Sequence, residues 1–234
     1  MKLKKFITVV AMTAMVGTLA VGCGKSDSKD NGSDKKSGSS WDSSNDITIL
    51  SREDGSGTRG AFIELFGIEE EKNGEKVDMT TDEAQITNST SVMMTTVAGD
   101  DYSIGYVSLG SLDDSVKALK IDGAEATAEN VKAGSYKVSR PFNICYKEDK
   151  LSDLDKDFIS YVMSEEGQKI VNDEGYIGLT PEGKYTGSKQ KGKITLAGST
   201  SVSPLMDKIK DAYTAINPDV TIEIQESGSS AGIQ

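Results

Sequence analysis

Histidine is absent from the 234 residues, and that absence removes more chemistry than any other feature of the composition. The commonest general base near neutral pH and the commonest metal ligand go with it. Serine–histidine and cysteine–histidine nucleophile pairs are excluded outright. Cysteine is nearly absent too: Cys23 closes the N-terminal apolar run, and Cys145 stands alone in "FNICYK". With Cys23 committed elsewhere, Cys145 has no disulfide partner and reads as a small buried hydrophobe. Positive charge is the minority sign, 26 Lys and Arg against 37 Asp and Glu, for a formal charge of −11. That balance argues against nucleic-acid binding. It does not exclude a small anion, which responds to its immediate site. No acidic cluster has metal-ligand spacing, and no cofactor is implied.

The first 22 residues read as a targeting leader, with Lys2, Lys4 and Lys5 ahead of "FITVVAMTAMVGTLAVG". The run is a little short for a membrane-spanning helix. Its end, "LAVGC", resembles a bacterial lipoprotein signal, in which the cysteine is lipidated and becomes the new N-terminus; here that residue is Cys23. Residues 23–45 are Gly, Ser, Lys and Asp with one large apolar side chain, Trp41. Such a segment buries too little to offset the entropy of ordering it, and it suits a polar tether.

From residue 46 to residue 187 the pattern is α/β. "ITIL" predicts a strand, and "RGAFIELFG" a short helix turning Phe62, Ile63 and Phe66 to a core. A helix over 89–98 shares Val92, Met93 and Val97 on one face. "YSIGYVSL", "SVKALKI" and "YKVSRPFNICYK" read as strands, Pro141 arguing against a regular central position in the last. Residues 151–175 predict a helix pair with Ser164 capping the second member. Residues 188–192 are a linker. Residues 193–234 open a second strand–loop–helix–strand: "KITLAG", a helix with Leu205, Ile209, Ala212, Tyr213 and Ile216 on one face, then "VTIEIQES". The expected architecture is one nearly complete lobe, 46–187, carrying its own core, followed by the opening β-α-β of another whose sheet is unfinished.

Three polar loops share one chemistry. "SREDGSGTRG" (residues 51–60) joins a strand to a helix through a Gly-rich turn. Unsatisfied N–H groups at a helix start make a ready anion pocket. Ser56 and Thr58 add hydroxyl donors, Gly57 lets the backbone approach closely, and Arg52 adds a charged fork. Asp54 is placed to orient that arginine or accept a ligand proton. It is not a nucleotide P-loop, whose Gly-x-x-x-x-Gly-Lys pattern is missing. "AGSTSVSP" (residues 197–204) and "ESGSSAGI" (residues 226–233) repeat the strand–hydroxyl–helix pattern.

Together with "AGDDYSIGYVSLGSLDDSVKALKIDG", "YKVSRPFNICYK" and "FISYVMSEEGQKIVNDEGYIGL", the first loop resembles the second half of the phosphate-binding protein of bacterial ABC-type phosphate uptake systems. "ITLAGSTSVSPLMDKIKDAYTAINPDVTIEIQESGSSAGI" resembles the beginning of the same family. The resemblance implies a periplasmic-binding-protein-like α/β fold with phosphate held between lobes by hydrogen bonds and an arginine. Carried onto this chain, it implies Arg52 with Asp54 beside it, donors at Ser56, Gly57 and Thr58, further donors at Thr200 and Ser201, and a serine at Ser229 or Ser230. It also implies inorganic phosphate and a membrane permease as partners, a lipid anchor, and the extracellular face of the cell membrane as location. The family's proton-accepting aspartate would follow Gln234. The segment order is reversed against the family's. A circular permutant, a duplicated receptor cut short, and a truncated gene all fit, and a fragment or degenerate copy is favoured. Two other readings stand beside phosphate capture: a surface lipoprotein that binds no anion and serves as an interaction module or relic, and a receptor for another oxyanion such as sulfate. Catalysis on phosphate esters is not expected, since Ser56 has no base to activate it.

Overall fold

Strand β1 (Thr48–Arg52) anchors the first set of elements in the computed structural model, which describes residues 41–187 and 189–234. The leader, Cys23 and the tether up to residue 40 lie outside the described residues. Next come α1 (Gly57–Leu65), a hairpin of β2 (Glu69–Lys72) and β3 (Glu75–Asp78), β4 (Gln85–Thr87), α2 (Thr90–Ala98) and β5 (Ser103–Ile104). β4 and β5 flank β1, both parallel to it, with Leu50 opposite Gln85 and Thr48 opposite Ser103. The hairpin turns on Asn73 and Gly74, both at positive φ, a pairing that suits the twist of a two-residue loop.

A second set follows the short helix α3 (Ala128–Lys132): α4 (Asp153–Met163), α5 (Glu165–Asp173), β6 (Lys191–Gly198), α6 (Ser203–Ile216), β7 (Asp219–Glu226) and α7 (Ser229–Ile233). β6 and β7 are parallel over eight pairs, from Lys191 opposite Asp219 to Gly198 opposite Glu226, and α6 is their crossover. Ser152 caps α4 in a reciprocal box with Asp155, and Ser164 ends α4 and caps α5 as its sequence position predicts. A Cβ at position 167 would run into the carbonyl oxygens of Tyr161 and Val162, so glycine lets α5 fold back tightly on α4.

The main core is drawn from both sides of the linker. Leu154, Phe158, Tyr161 and Val162 of α4 pack with Leu205, Ile209 and Tyr213 of α6, with Ile194 of β6, and with Val220 and Ile222 of β7. Phe158 meets Tyr213 edge to face, ring centroids 5.2 Å apart. Tyr213 and Tyr185 both donate their hydroxyls to Asp157 Oδ2, at 2.7 and 2.5 Å, which satisfies the polar end of each ring. The β6-α6-β7 unit has a sheet of only two strands, yet it is well buried because α4 and α5 cover it, so residues 46–187 do not carry a core of their own apart from it.

The first set is thinner. Leu50, Ala84 and Met93 are its buried apolar residues, while Ile49, Ile86, Val92 and Ile104 are exposed. Phe62 stacks on Tyr106 at 4.1 Å, but Phe66 is 44% exposed, so the expected inward face of α1 is only half realised. The strands expected over 102–109, 115–121 and 136–147 shrink to Ser103–Ile104, an isolated bridge between Ile121 and Ala124, and none at all. Strand propensity is a fit to a half-buried pleated surface; β1 supplies one only at Ser103–Ile104, and no described strand pairs with residues 136–147. Cys145 is consequently exposed rather than buried.

Candidate functional site

In parallel α/β sheets the loops that bind ligands leave the carboxyl ends of the strands. The loops after β1, β4, β6 and β7 all do so here, and they converge. β1 delivers Ser51 and Arg52, each 2% exposed. Tyr106 fixes this end: its hydroxyl pairs with Ser51 Oγ at 2.8 Å and accepts from the Arg52 amide at 3.0 Å. The chain then turns through Gly55 at φ 81° and enters α1, whose N-cap is Ser56, its Oγ accepting from the Arg59 amide at 3.3 Å.

Arg52 is the hub. Its Nε and Nη2 fork onto Glu53 at 2.8 and 2.9 Å. Nη2 also donates to Thr200 Oγ1 at 3.0 Å, and Nη1 to Thr90 Oγ1 at 3.3 Å. Around these ends lies a cluster of buried hydroxyls: Thr58 to Ser201 at 2.8 Å, Thr90 to Thr200 at 3.2 Å, and Thr90 to Ser201 at 3.2 Å. Ser201, 0% exposed, is held from behind, its carbonyl accepting from Tyr176 Oη at 2.7 Å. The third loop docks on the first, the Ser230 amide donating to Gly55 O at 3.1 Å and Ser229 lying against Gly57.

Of the residues singled out in the sequence, Arg52, Thr58, Thr200 and Ser201 meet directly. Ser56 and Gly57 form the turn below them, and Ser229 and Ser230 lie against that turn. Asp54 stands apart. Its carboxylate is 98% exposed and pairs with Arg59 at 3.1 Å, while Glu53 occupies the place beside Arg52. Burial pushes the Glu53 carboxyl up, but the hydrogen bond from Arg52, a backbone hydrogen bond and the charges of Arg52 and Arg59 together more than offset it and hold the group below its ordinary range. An open groove of about 330 Å³ outside the turn is lined by Asp54 and Asp78 as well as Ser56 and Ser230. Arg59 also lines it, but two carboxylates against that one guanidinium leave the groove net negative and a poor home for an anion.

Glu53, Thr90, Tyr106 and Arg140 escaped the sequence reading. Arg140 Nη2 donates to Thr58 Oγ1 at 3.0 Å. For Thr90 a signal existed: "STSV" occurs twice, at 89–92 opening α2 and at 199–202 leading into α6, each time just after a strand, and the two threonines touch.

Chemically, the cluster is rich in donors. Two guanidinium groups and four hydroxyls converge, and the one carboxylate among them is taken up by Arg52. Among the described residues no base is placed to activate any of these hydroxyls, and the arrangement suits holding an anion.

Paired β-α-β units with polar loops converging at the strand ends define a solute-binding protein of the periplasmic-binding class. Residues 20–166 match the PBP superfamily domain. The chain is 52% identical over 235 residues to "Phosphate-binding protein PstS 2" of Streptococcus agalactiae, covering 100% of this chain and 76% of that one. Its fold matches the crystal structure of a phosphate-binding protein of a phosphate ABC transporter from Streptococcus pneumoniae, with a TM-score of 0.63 at 48% identity over 80% of this chain and 72% of the other. A crystal structure with bound phosphate from Clostridium perfringens matches with a TM-score of 0.52 at 46% identity, over 57% of this chain and 52% of that one. The chain belongs to the PstS family of phosphate-binding proteins, a non-catalytic solute-binding family. Its alignment with the S. agalactiae relative runs the whole length of the chain, so that relative shares the order in which "SREDGSGTRG" precedes "GSTSVSP".

Proposed function

We propose that this protein captures inorganic phosphate and delivers it to the permease of an ABC transporter, holding the ion by hydrogen bonds and arginine without transforming it. The observation that carries this is the bond from buried Arg52 to Thr200, 148 residues away, inside a cluster of hydroxyls drawn from the strand–helix junctions after β1, β4 and β6. Arg52, Thr58, Thr200 and Ser201 form the centre of the proposed site. Ser56 and Gly57 offer the α1 start, and Ser229 and Ser230 close the third side. Asp54 would serve as a rim residue, holding Arg59 away from the ion. Separate β-α-β units bearing the donors suit a receptor that closes on its ligand.

Residues 1–22 would be removed as a lipoprotein signal, Cys23 lipidated, and residues 23–45 would hold the body off the extracellular face of the cell membrane. Residues 46–187 would correspond to the later half of the family fold and 193–234 to its opening segment, the two joined by the linker at 188–192. Cys23→Ser should release the protein from the membrane fraction or leave it uncleaved; unchanged membrane retention with normal cleavage would contradict the anchor.

Calorimetric titration of the mature chain with phosphate and, separately, with sulfate tests the function. Saturable phosphate binding without ester turnover is expected. Sulfate binding in preference would move the assignment to another oxyanion, and no binding of either would overturn it.

A further inference from the structure

The sequence holds three arginines, and two of them are neutralised. Arg52 is forked on Glu53, and Arg59 lies between Asp54 and Asp78, at 3.1 and 2.8 Å. Arg140 is different. Among the described residues no carboxylate comes within ion-pair reach of it. Its Nη2 donates to Thr58 Oγ1 at 3.0 Å, and its guanidinium carbon lies 4.8 Å over the ring of Phe142. Its Nη1 lies 3.8 Å from where a Cβ on Gly57 would stand, so it overlooks the first turn of α1, which contains no acidic residue. Burial pushes its pKa down, yet a guanidinium remains charged at any physiological pH.

Charge around the hydroxyl cluster therefore sums in an unexpected way. Arg52 and Glu53 cancel, and Arg140 supplies the surplus cation. A half-buried charge without a counter-ion is costly, and the groups around this one are donors. What balances it must be negative and must accept hydrogen bonds from Thr58 and the start of α1.

We propose that Arg140 is a second anion-binding guanidinium, placed by its stack on Phe142 and sharing one phosphate with Arg52, and that it provides the net positive charge of the site. This rests on the phosphate reading above. It also gives the "SRPFN" run a task other than strand pairing: Pro141 sets a stiff link between the cation and the ring that holds it. If Arg140 only propped Thr58, a neutral donor of similar length would serve as well.

The test compares Arg140→Gln and Arg140→Lys with the parent in calorimetric titrations of the full mature chain with inorganic phosphate, at low and high salt. Thermal melts confirm that each variant is folded, and the lysine variant keeps the comparison informative should glutamine destabilise the loop. Losing a hydrogen bond from a charged donor should weaken phosphate binding about 10- to 100-fold in Arg140→Gln. Arg140→Lys should retain most of the affinity, and the salt dependence should flatten in the glutamine variant alone. Parent-like affinity and salt dependence in Arg140→Gln, with the parent binding phosphate, would overturn this inference and leave the phosphate reading intact. A parent that binds no phosphate would overturn both.

Discussion

The two sets of elements bury very different amounts of apolar surface while contributing evenly to the site. The set built on α4, α5, β6, α6 and β7 owns every member of the principal core. The set built on β1, β4 and β5 has a three-stranded sheet of short strands, few buried apolar residues and several exposed isoleucines. Yet Arg52, Thr58 and Thr90 come from the thin set, and Thr200 and Ser201 from the dense one. Apolar packing and the polar cluster thus draw on different parts of this molecule. The dense set provides a rigid wall, and the thin set carries the charge to it through polar contacts rather than packing. Local opening should be drawn from the thin side.

Cutting a ring out of each set should break the symmetry most visibly. Phe158→Ala, in the dense core, should cost about 3–5 kcal/mol of stability in urea melts, from lost burial and the cavity left behind. Phe66→Ala, at an exposed position on α1, should stay within about 0.5 kcal/mol of the parent. Equal losses would show that the two sets share one core after all. A smaller effect is expected at the joint of α4 and α5. Gly167→Ala forces a methyl against two carbonyls and should cost about 1–3 kcal/mol by overpacking. Ser164→Ala, removing the cap of α5 and the hydroxyl's bond to the Tyr161 carbonyl, should cost about 1–2 kcal/mol.

The thin set should instead reveal itself through pH. The Glu53 carboxyl is held below its ordinary value of 4.5 in the folded protein. Its contribution is therefore fully present above that value and is lost as pH falls through the lowered folded value. Acid melts of Glu53→Gln should match the parent's more closely at low pH than at neutral pH. The opposite trend would mean that Arg52 is not held by Glu53.

Helical periodicity made the dense set readable from sequence, because its residues answer to neighbours a turn away. Leu205, Ile209 and Tyr213 recur at helical spacing, and all three are buried; Ser164 was legible as a cap from its place between two apolar sets. The run at 136–147 was misleading for a physical reason. Alternating apolar residues announce a strand only where another strand exists to pair with, and Phe142, Ile144 and Tyr146 are exposed. Glycine, hydroxyl and arginine at a strand–helix junction singled out the Arg52 loop, and the structure brings Arg52 and Thr58 to the same hydroxyl cluster as Thr200 and Ser201. Which acid would meet Arg52 was not legible: Glu53 and Asp54 are adjacent, and only the turn at Gly55 decides that one faces inward and the other outward.

Phosphate titration of the mature chain and its Arg52→Ala and Arg59→Ala variants tests most directly whether the Arg52 cluster is the binding site. Arg52 is buried among donors, while Arg59 is engaged with Asp54 and Asp78. Removing a hydrogen-bonded buried charge at an interface costs about 2–5 kcal/mol, so Arg52→Ala should abolish measurable binding or weaken it by orders of magnitude. Arg59→Ala should weaken it far less. Comparable losses in the two variants, or phosphate binding untouched by Arg52→Ala, would contradict the placement of the site.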